Sequence, residues 1–406
     1  MKNFEKKYDI DLVELGSNDR ILNHYNEYYN FSKNQILSIL EQECRLFEKI
    51  LDEAKPDFFI TSETALQPHH LFYKLCQKQG VKILMLNHAN WKTLCYISEE
   101  RHKLDNQHSL SIENSKKYTF YELQKILDGS NVAKHHAKFH KQTKKSKSSL
   151  VNAAFELLFL SKNSNIKTHY TYYGRTKLRV LSKELMSRIE KRTRENFINK
   201  NLLHFKSKTK PFIYFPLHVD PERTISIDAP YQTNQLEVIM NIVKSMPIDY
   251  ILYVKEHHNQ RYRNWRELSF YKTLIDLPNV ELIHHEVNPS EILQKASLVI
   301  TITGTTGFEG LLYQKPAIAL ADVSYMKLSS VFRIEKMEEL SSIIRKMLDV
   351  KVNFNELKEF IETLLKNSFE FNLTNTINDI QSKFQHGGFS MRKDITIVEI
   401  DQYFEQ

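Results

Sequence analysis

A cluster of glycine and threonine residues at positions 301–310 is the strongest chemical signal in the sequence. The segment reads TITGTTGFEG and holds three of the nine glycines of the chain. Glycine suits a backbone that bends sharply or lies close to a ligand. The cluster follows an apolar run and opens a predicted helix, whose first N–H groups suit phosphate. We predict a phosphate-binding turn, with a tight turn that binds no ligand as the alternative. Its predicted ligand-binding residues are Gly304, Thr305, Thr306 and Gly307.

Glu309 lies in the first turn of the predicted helix. Its carboxylate is a candidate acceptor for ribose hydroxyls in the same pocket, or it could only complement the positive end of the helix dipole. The segment has neither the GK[ST] ending of a Walker A loop nor the spacing of a GxGxxG motif. It is therefore not one of these two nucleotide-binding motifs.

A second candidate site is the run Tyr253-Val254-Lys255-Glu256-His257-His258, at the end of a predicted strand. Open α/β sheets bind ligands at the carboxyl ends of their strands. Lys255 and His257 could neutralise the charge that develops on a departing phosphate; a polar loop is the alternative. A zinc site built from these histidines and His284-His285 is not favoured, because adjacent histidines point apart.

The segment 215–224 (FPLHVDPERT) follows the first predicted strand of the second half. Arg223 suits phosphate or carboxylate binding because its guanidinium is a planar, permanently charged donor. His218 and Glu222 are candidate acid/base groups.

Apolar patterning places these motifs between alternating strands and helices. In the second half we predict strands at 212–217, 250–254, 280–284, 298–303 and 317–321, with helices between them. In the first half we predict helices at 34–54 and 71–79 and strands at 58–60 and 81–86. Strand–helix–strand alternation with short joins indicates parallel sheets.

A polar break at 206–211 divides the two halves. We predict an N-terminal Rossmann-like domain at 1–205, with a basic helical insertion at about 102–200. A C-terminal Rossmann-like domain follows at 206–350. The remaining residues, 351–406, are predicted to form C-terminal helices and a tail.

The composition is that of a globular protein with a basic surface. Hydrophobic residues make up 41% and charged residues 26% of the chain, which argues against wholesale disorder. The net charge of +8 favours anionic partners, and the excess is concentrated between about residues 134 and 200. A solvated helix surface and a contact with an anionic membrane or polymer both fit this excess. No nucleic-acid-binding motif accompanies it, so nucleic acid is not a predicted partner.

No apolar run approaches the roughly 20 residues that span a bilayer, and residues 1–11 lack the apolar core of a signal peptide. We therefore expect a cytoplasmic protein, with peripheral contact to the inner membrane through the basic segment left open. Cys44, Cys76 and Cys95 lie far apart and match no metal spacing, so we interpret them as reduced packing residues.

Taken together and in this order, the motifs resemble the capsule polysaccharide biosynthesis family, which includes the bacterial capsular Kdo transferases. The resemblance covers about residues 211–335. One departure is His258, which stands where the family has proline, so the loop after His257 lacks the backbone restriction that proline imposes. The segments that carry the resemblance are 215–224 (FPLHVDPERT), 253–258 (YVKEHH), Asn279-Val280, 303–316 (TGTTGFEGLLYQKP) and 321–325 (ADVSY).

The resemblance implies a GT-B-like α/β fold, with two Rossmann-like domains whose parallel sheets face a central cleft, plus C-terminal helices. It places the donor nucleotide on the second domain, with Lys255 and His257 at the donor phosphate and the turn from Gly304 to Gly307 facing the nucleotide. The first domain is then expected to carry the acceptor side and the catalytic base. Glu63, His69 and His88 lie near predicted strand ends there.

We therefore predict a metal-independent glycosyltransferase of surface or capsular polysaccharide biosynthesis, which needs no cofactor. It would transfer a sugar from a nucleotide-activated donor, such as CMP-Kdo or a UDP-sugar, to a glycan or lipid-linked acceptor. The candidate catalytic residues are Glu63, His218 and Glu222. The candidate donor-binding residues are Arg223, Lys255, His257, Gly304, Thr305, Thr306, Gly307 and Glu309.

Two other functions remain open at this point. One is a different enzyme on the same scaffold, such as a nucleotide-sugar epimerase or a glycerophosphate or phosphosugar transferase. The other is a non-catalytic binding or assembly protein, whose basic middle segment docks on a membrane or polymer.

Overall fold

The computed structural model describes residues 1–20, 22–23, 28–89, 94–105, 119–129, 155–160, 173–205, 210–263 and 265–371. The lysine-rich part of the predicted basic insertion, at 141–147, and the tail at 386–406 lie outside these residues. The described chain forms two α/β units, each built around its own sheet. This is the two-unit, GT-B-like α/β class predicted from the sequence.

The first unit is built on a four-stranded sheet of order β1–β2–β3–β10. β1 and β2 are parallel, whereas β3 is antiparallel to β2, and β10 to β3. This sheet is therefore mixed, unlike the wholly parallel sheet predicted. Only five residues separate β2 from β3, too few for the crossover that parallel neighbours require. The strands are β1 (Phe58–Ser62), β2 (Lys82–His88), β3 (Leu94–Ser98) and β10 (Phe369–Glu370).

Four helices share one apolar core with this sheet. The long α3 begins at a capping box, in which Ser32 and Gln35 satisfy each other's backbone N–H groups. It ends at Lys55, whose left-handed backbone turns the chain toward β1. The helices are α1 (Lys2–Tyr8), α2 (Leu12–Ser17), α3 (Lys33–Ala54) and α4 (Gln67–Lys78).

The second unit is built on a six-stranded sheet of order β6–β5–β4–β7–β8–β9, in which all neighbours are parallel. The chain order reverses between β4 and β7, and open α/β sheets bind ligands beside the carboxyl ends of strands at such a reversal. The strands are β4 (Phe212–Pro216), β5 (Ile251–Lys255), β6 (Val280–Ile283), β7 (Leu298–Thr301), β8 (Ala317–Ala319) and β9 (Val331–Arg333).

Helices cover both faces of the second sheet, because its strands are apolar on both sides. Ile213 and Phe215 of β4 belong to the core on one face, and Phe212 and Tyr214 to the core on the other. The remaining helices are α5 (Phe120–Gly129), α6 (Lys177–Asn201), α7 (Arg223–Ser226), α8 (Gln235–Ser245), α9 (Leu268–Asp276), α10 (Pro289–Leu293), α11 (Thr306–Leu312), α12 (Leu340–Leu348) and α13 (Phe354–Lys366).

The chain crosses between the two units more than once. Ile198 and Leu202, at the end of α6, already pack in the core of the second unit. After α13 the chain returns to the first unit, where β10 pairs with β3. The exact domain boundaries at 205/206 and 350/351 stay predictions. Of the helices described, none is both long and apolar enough to cross a bilayer.

Candidate functional site

The predicted motifs follow β4, β5 and β7, which are neighbours in the second sheet. Because these strands are parallel, the segments that follow them meet at one edge of the sheet. Contacts bear this out: the N–H of Leu217 donates to the carbonyl of Lys255 at 2.9 Å, and the N–H of Thr303 donates to Nε2 of His218 at 3.3 Å. The reversal of strand order between β4 and β7 therefore lies between the 215–224 segment and the 301–310 segment.

Each glycine of the 301–310 segment packs closely against the protein itself. A Cβ added at Gly304 would lie 2.6 Å from Oγ1 of Thr301, and one at Gly310 would lie 2.8 Å from Cγ2 of Val299. At Gly307 it would collide with the hydroxyl of Tyr325, which donates to the carbonyl of Gly304 at 2.6 Å. Internal packing therefore accounts for all three glycines, and phosphate binding by this turn stays a prediction.

The two threonines of the turn differ in accessibility. Thr305 is exposed, while Thr306 is half-buried at the first position of α11. The hydroxyl of Thr305 donates to Oε1 of Glu309 at 3.1 Å. The predicted ribose partner Glu309 thus already faces the turn.

Lys255 is almost fully buried at the end of β5, with 5% of its surface exposed. Its Nζ donates to the backbone carbonyl of His285 at 3.0 Å and to that of Glu256 at 3.4 Å. Burial lowers the pKa of Lys255 to about 8, against the opposing effects of Glu256 and Glu309. Because β5 and β7 both flank β4 in this parallel sheet, Lys255 and the turn that opens α11 lie at the same edge of the sheet.

His257 lies next to Lys255 and is half-buried. Its backbone N–H donates to Oε1 of Glu256 at 2.7 Å, and its ring Nδ1 accepts from the N–H of Asn259 at 3.1 Å. Burial, followed by the charge of Lys255, lowers the pKa of His257 to about 3. The ring is therefore neutral at ordinary pH, and it can donate a hydrogen bond through its single N–H.

His218 is buried at the end of β4, against the 303–307 turn. Besides accepting from Thr303, it lies beside Gly304: a Cβ there would be 3.3 Å from its Nε2. Burial, and then the nearby Arg266, lower the pKa of His218 to about 4. This makes His218 a poor general base near neutral pH.

Several polar residues that the sequence did not single out hold this edge in place. The amide of Gln235 bonds both the N–H and the carbonyl of His218, and the amide of Gln260 does the same for Asp220. Arg266 also donates to the carbonyl of His218. Gln235 lies 17 residues from His218 in sequence, Gln260 lies 40 from Asp220 and Arg266 lies 48 from His218, so no local pattern marked these pairings.

Glu256 and Arg266 form a buried ion pair beneath the same loops. Nε of Arg266 lies 3.1 Å from Oε2 of Glu256, which also accepts from the hydroxyl of Tyr271 at 2.6 Å. Glu256 belongs to the 253–258 run but is not among the predicted site residues. Its carboxylate is satisfied on all sides by protein donors, so it supports the loop that carries His257.

Arg223 is not directed at the 303–307 turn but at the first unit. Its Nε donates to the carbonyl of Thr64, and its Nη1 lies 3.0 Å from Asp228 and 3.8 Å from Glu63. Arg101 of the first unit pairs with both carboxylates. The placement gives Arg223 an inter-unit contact, and its predicted contact with phosphate stays a prediction.

Glu63 lies in the same network, which we call the inter-unit ion cluster (Glu63, Arg101, Arg223 and Asp228). Its Oε1 accepts from the N–H of His88 at 3.0 Å. Burial would raise the pKa of Glu63, but Arg101 and Arg223 outweigh it and lower that pKa. A carboxylate held ionised in this way is a weak proton acceptor.

Glu222 immediately precedes α7 and is half-buried. Its Oε2 accepts from the hydroxyl of Thr224 at 3.1 Å. The carbonyl of Thr224 in turn accepts from the hydroxyl of Thr303 at 3.1 Å. Of the two carboxylate candidates, Glu63 pairs with two arginines, whereas Glu222 makes no ion pair among the described residues. Glu222 is also connected to the 303–307 turn through Thr224.

A hollow between the two units opens beside α7, and we call it the inter-unit hollow. It does not include Lys255 or the 303–307 turn. Its lining includes Asp19, Arg20, Gln67, His70, Ser226 and Ile227.

Within the described ranges, no three His, Cys, Asp or Glu side chains form a group that could hold a metal ion. Cys44, Cys76 and Cys95 are buried free thiols.

Several solved structures resemble this one weakly. The KpsC beta Kdo 2,4 transferase of Thermosulfurimonas dismutans is 15% identical with a TM-score of 0.30, over 39% of this chain and 47% of that one, about half its length. The KpsC beta Kdo 2,7 transferase of the same organism is 12% identical with a TM-score of 0.35, over 82% of this chain and 80% of that one. The UDP-GlcNAc 2-epimerase of Methanocaldococcus jannaschii is 14% identical with a TM-score of 0.30, over 90% of this chain and 89% of that one.

These low scores assign no substrate to this chain, and no curated protein matches the sequence significantly. A family model is more informative. The model described as "Capsule polysaccharide biosynthesis protein" matches residues 122–327, which is half of the 406-residue chain and includes every motif discussed above. The chain therefore belongs to the capsule polysaccharide biosynthesis protein family.

Proposed function

We propose that this protein is a glycosyltransferase that binds a nucleotide-activated sugar at the carboxyl edge of its second sheet. The observation that carries the proposal is the meeting of three motifs at the reversal of strand order. The segments after β4, β5 and β7 contact one another there through Leu217, Lys255, His218 and Thr303. Membership of the capsule polysaccharide biosynthesis protein family supports a role in glycan synthesis, with which a glycosyltransferase is consistent.

In this proposal, the phosphate of the donor lies between the 303–307 turn and the end of β5. Lys255 supplies the positive charge, and its ammonium has three N–H groups, of which two are used by backbone carbonyls. His257 adds a neutral donor, and the exposed hydroxyl of Thr305 adds another when it turns its one proton from Glu309 to the phosphate. Charge that develops on the departing phosphate would be stabilised by this set, without a metal ion being assigned.

The acceptor, a glycan or a lipid-linked glycan, would approach from the first unit across the inter-unit hollow. We assign the base that deprotonates its hydroxyl to Glu222, the residue before α7, whose last residue, Ser226, lines this hollow. Glu63 remains a second candidate, but its two arginine partners weaken it as a proton acceptor.

Helix α6 supports a peripheral contact with an anionic membrane. It carries eight basic and three acidic residues, and Leu178, Leu185, Met186 and Ile189 are exposed along it. Basic residues next to exposed apolar ones suit an anionic lipid surface. This contact would bring the protein to a lipid-linked acceptor at the cytoplasmic face of the inner membrane.

A thermal-shift screen with CMP, UDP, GDP and their sugars tests donor binding. We expect one nucleotide family to raise the melting temperature, because a ligand that binds only the folded state stabilises it. His257→Ala should reduce that shift. Lys244→Ala is the control, since Lys244 is exposed at the end of α8, which leads into the start of β5 at the opposite edge of the sheet.

The outcome also separates the competing functions. A non-catalytic assembly protein predicts no shift with any nucleotide. An epimerase predicts turnover of the identified nucleotide sugar in the absence of an acceptor, whereas a transferase needs a glycan acceptor for rapid release of the nucleotide.

A further inference from the structure

The ring of His218 is held in one protonation state by its contacts. Nε2 accepts a hydrogen bond from the backbone N–H of Thr303, at 3.3 Å. A backbone N–H can only donate, so Nε2 must carry a lone pair. Burial and the neighbouring Arg266 lower the pKa of His218, so the ring is neutral and its single proton is on Nδ1.

The backbone of His218 is fixed as firmly as the ring. Oε1 of Gln235 accepts from its N–H at 2.9 Å, and Nε2 of Gln235 donates to its carbonyl at 3.3 Å. Arg266 donates to the same carbonyl. A side chain that is anchored at its backbone and at one ring nitrogen has little freedom to turn its second nitrogen elsewhere.

That second nitrogen, Nδ1, is buried and has no hydrogen-bond partner among the residues that the structure describes. Only 8% of the surface of His218 is exposed. Buried N–H groups are nearly always paired, because leaving one unpaired is costly. The position therefore suits an acceptor atom that a ligand brings in.

His257 is arranged in the complementary way at the end of the next strand. Its Nδ1 accepts from the N–H of Asn259 at 3.1 Å, so its proton is on Nε2. His218 and His257 follow neighbouring parallel strands, so both lie at the same edge of the sheet. Two uncharged imidazoles, each fixed by a backbone amide, thus offer N–H groups at the ends of β4 and β5.

We infer that His218 binds the donor through Nδ1–H, which donates to a phosphate oxygen of the bound nucleotide sugar, and that it does not act as the acid or base. The inference rests on the proposed function. Through Nε2 the same ring holds Thr303, so one side chain joins the bound phosphate to the 303–307 turn. Two neutral donors also leave the charge of the site to Lys255.

Long-range proton–nitrogen correlation spectra of the 15N-histidine-labelled full chain test the tautomer directly. We expect His218 to show the Nδ1-protonated pattern from about pH 6 to 8, and we expect its Nδ1–H signal to move downfield when CMP or UDP binds. Inorganic phosphate serves as a separate arm and should move the signal less. An Nε2-protonated ring, or an imidazolium at neutral pH, would overturn the inference.

Two variants separate the two nitrogens of the ring. In His218→Gln the amide oxygen can take the place of Nε2 and keep the contact with Thr303, but the Nδ1 donor is lost. In His218→Asn the amide nitrogen can take the place of Nδ1, but the acceptor for Thr303 is lost. We expect His218→Gln to melt close to the wild type and to bind the nucleotide about 10- to 100-fold more weakly. We expect His218→Asn to lose melting temperature with a smaller loss of affinity.

Equal affinity of His218→Gln and the wild type for the nucleotide would contradict the inference alone. If His218→Gln fails to fold, the spectra of the wild type decide: an Nδ1–H signal that nucleotide binding leaves unmoved refutes the inference. Failure of every nucleotide to bind the wild type would instead refute the proposed function, and the inference with it.

Discussion

Arg223 and Glu63 come from different units of the molecule and lie 3.8 Å apart, measured from Nη1 to Oε2. The cation also reaches the carbonyl of Thr64, one residue beyond Glu63. Because Arg101 and Asp228 complete the inter-unit ion cluster, each of its charges has a partner of opposite sign from the other unit. The cluster therefore fixes how the end of β1 meets α7.

We expect Arg223→Met to lower the free energy of unfolding by about 3–5 kcal/mol, because it leaves two largely buried carboxylates with one cation between them. Methionine keeps most of the aliphatic stem, so the loss reports on the charge. Urea-induced unfolding measures this loss.

Arg188→Met is the matched control. Arg188 pairs with Glu184 at 2.8 Å on an exposed face of α6, and breaking an exposed pair costs about 1 kcal/mol or less. Equal losses in the two variants would show that the inter-unit ion cluster stabilises the fold no more than an exposed ion pair does.

The second unit follows from its sequence because its strands are apolar on both faces and its helices begin at clear caps, as at Asn234 and Asn353. The strands at 94–98, 331–333 and 369–370 were not predicted. β9 has three residues and β10 has two, and no glycine or proline marks the turn between β2 and β3. Short strands are specified largely by packing against the neighbours they pair with, and their own few residues carry little pattern.

In the candidate site, too, some positions could be predicted from the sequence and others could not. Parallel strand ends meet at one edge, so the position of Lys255, His257 and the 303–307 turn could be predicted from alternation alone. The partner of Arg223 could not, because Thr64 is 159 residues away. Nor could the pairing of Gln235 with His218, since a glutamine in the first turn of a helix carries no signal of what its amide contacts.

Gly307 is predicted to be required by Tyr325 and not by a ligand. In Gly307→Ala the new methyl group meets the tyrosine hydroxyl, and we expect a loss of about 1–3 kcal/mol in the free energy of unfolding from overpacking. Combining it with Tyr325→Phe removes the clashing oxygen. A double-mutant cycle by urea unfolding should therefore give a favourable coupling between the two changes; strict additivity would mean that the two residues do not interact.

Glu43 is predicted to make stability fall as pH rises. Burial raises the pKa of Glu43 to about 7 from an ordinary 4.5, so between these values the folded state holds a proton that the unfolded state has lost. Stability then declines across this window and is lowest above about pH 7. Glu43→Gln should raise the free energy of unfolding at about pH 8 by on the order of 3 kcal/mol and have little effect near pH 4. Glu53→Gln, an exposed position on the same helix, should change neither value by more than about 0.5 kcal/mol.

Glu222→Gln tests the assignment of the base. We expect kcat for sugar transfer to fall about 10²- to 10⁴-fold, since glutamine cannot accept the acceptor proton, while nucleotide affinity stays unchanged. Glu63→Gln should mainly lower the melting temperature, because it unbalances the inter-unit ion cluster. Glu237→Gln, exposed in the first turn of α8, is the neutral control. The reverse pattern, with Glu63→Gln inactive but stable and Glu222→Gln active, would move the base to Glu63.

Lys255 should give nucleotide binding a pH dependence of its own. Its pKa is lowered to about 8 by burial, so the ammonium that attracts phosphate is present below about pH 8 and is lost above it. We therefore expect affinity for the nucleotide, measured by calorimetry, to fall as pH rises through 8. Lys255→Met, which keeps the buried stem, should bind about 10- to 100-fold more weakly near pH 7 and show no such fall. Lys244→Met should match the wild type at each pH, because Lys244 is exposed at the end of α8. A Lys255→Met protein with the wild-type pH profile would place the charge that attracts phosphate on another residue.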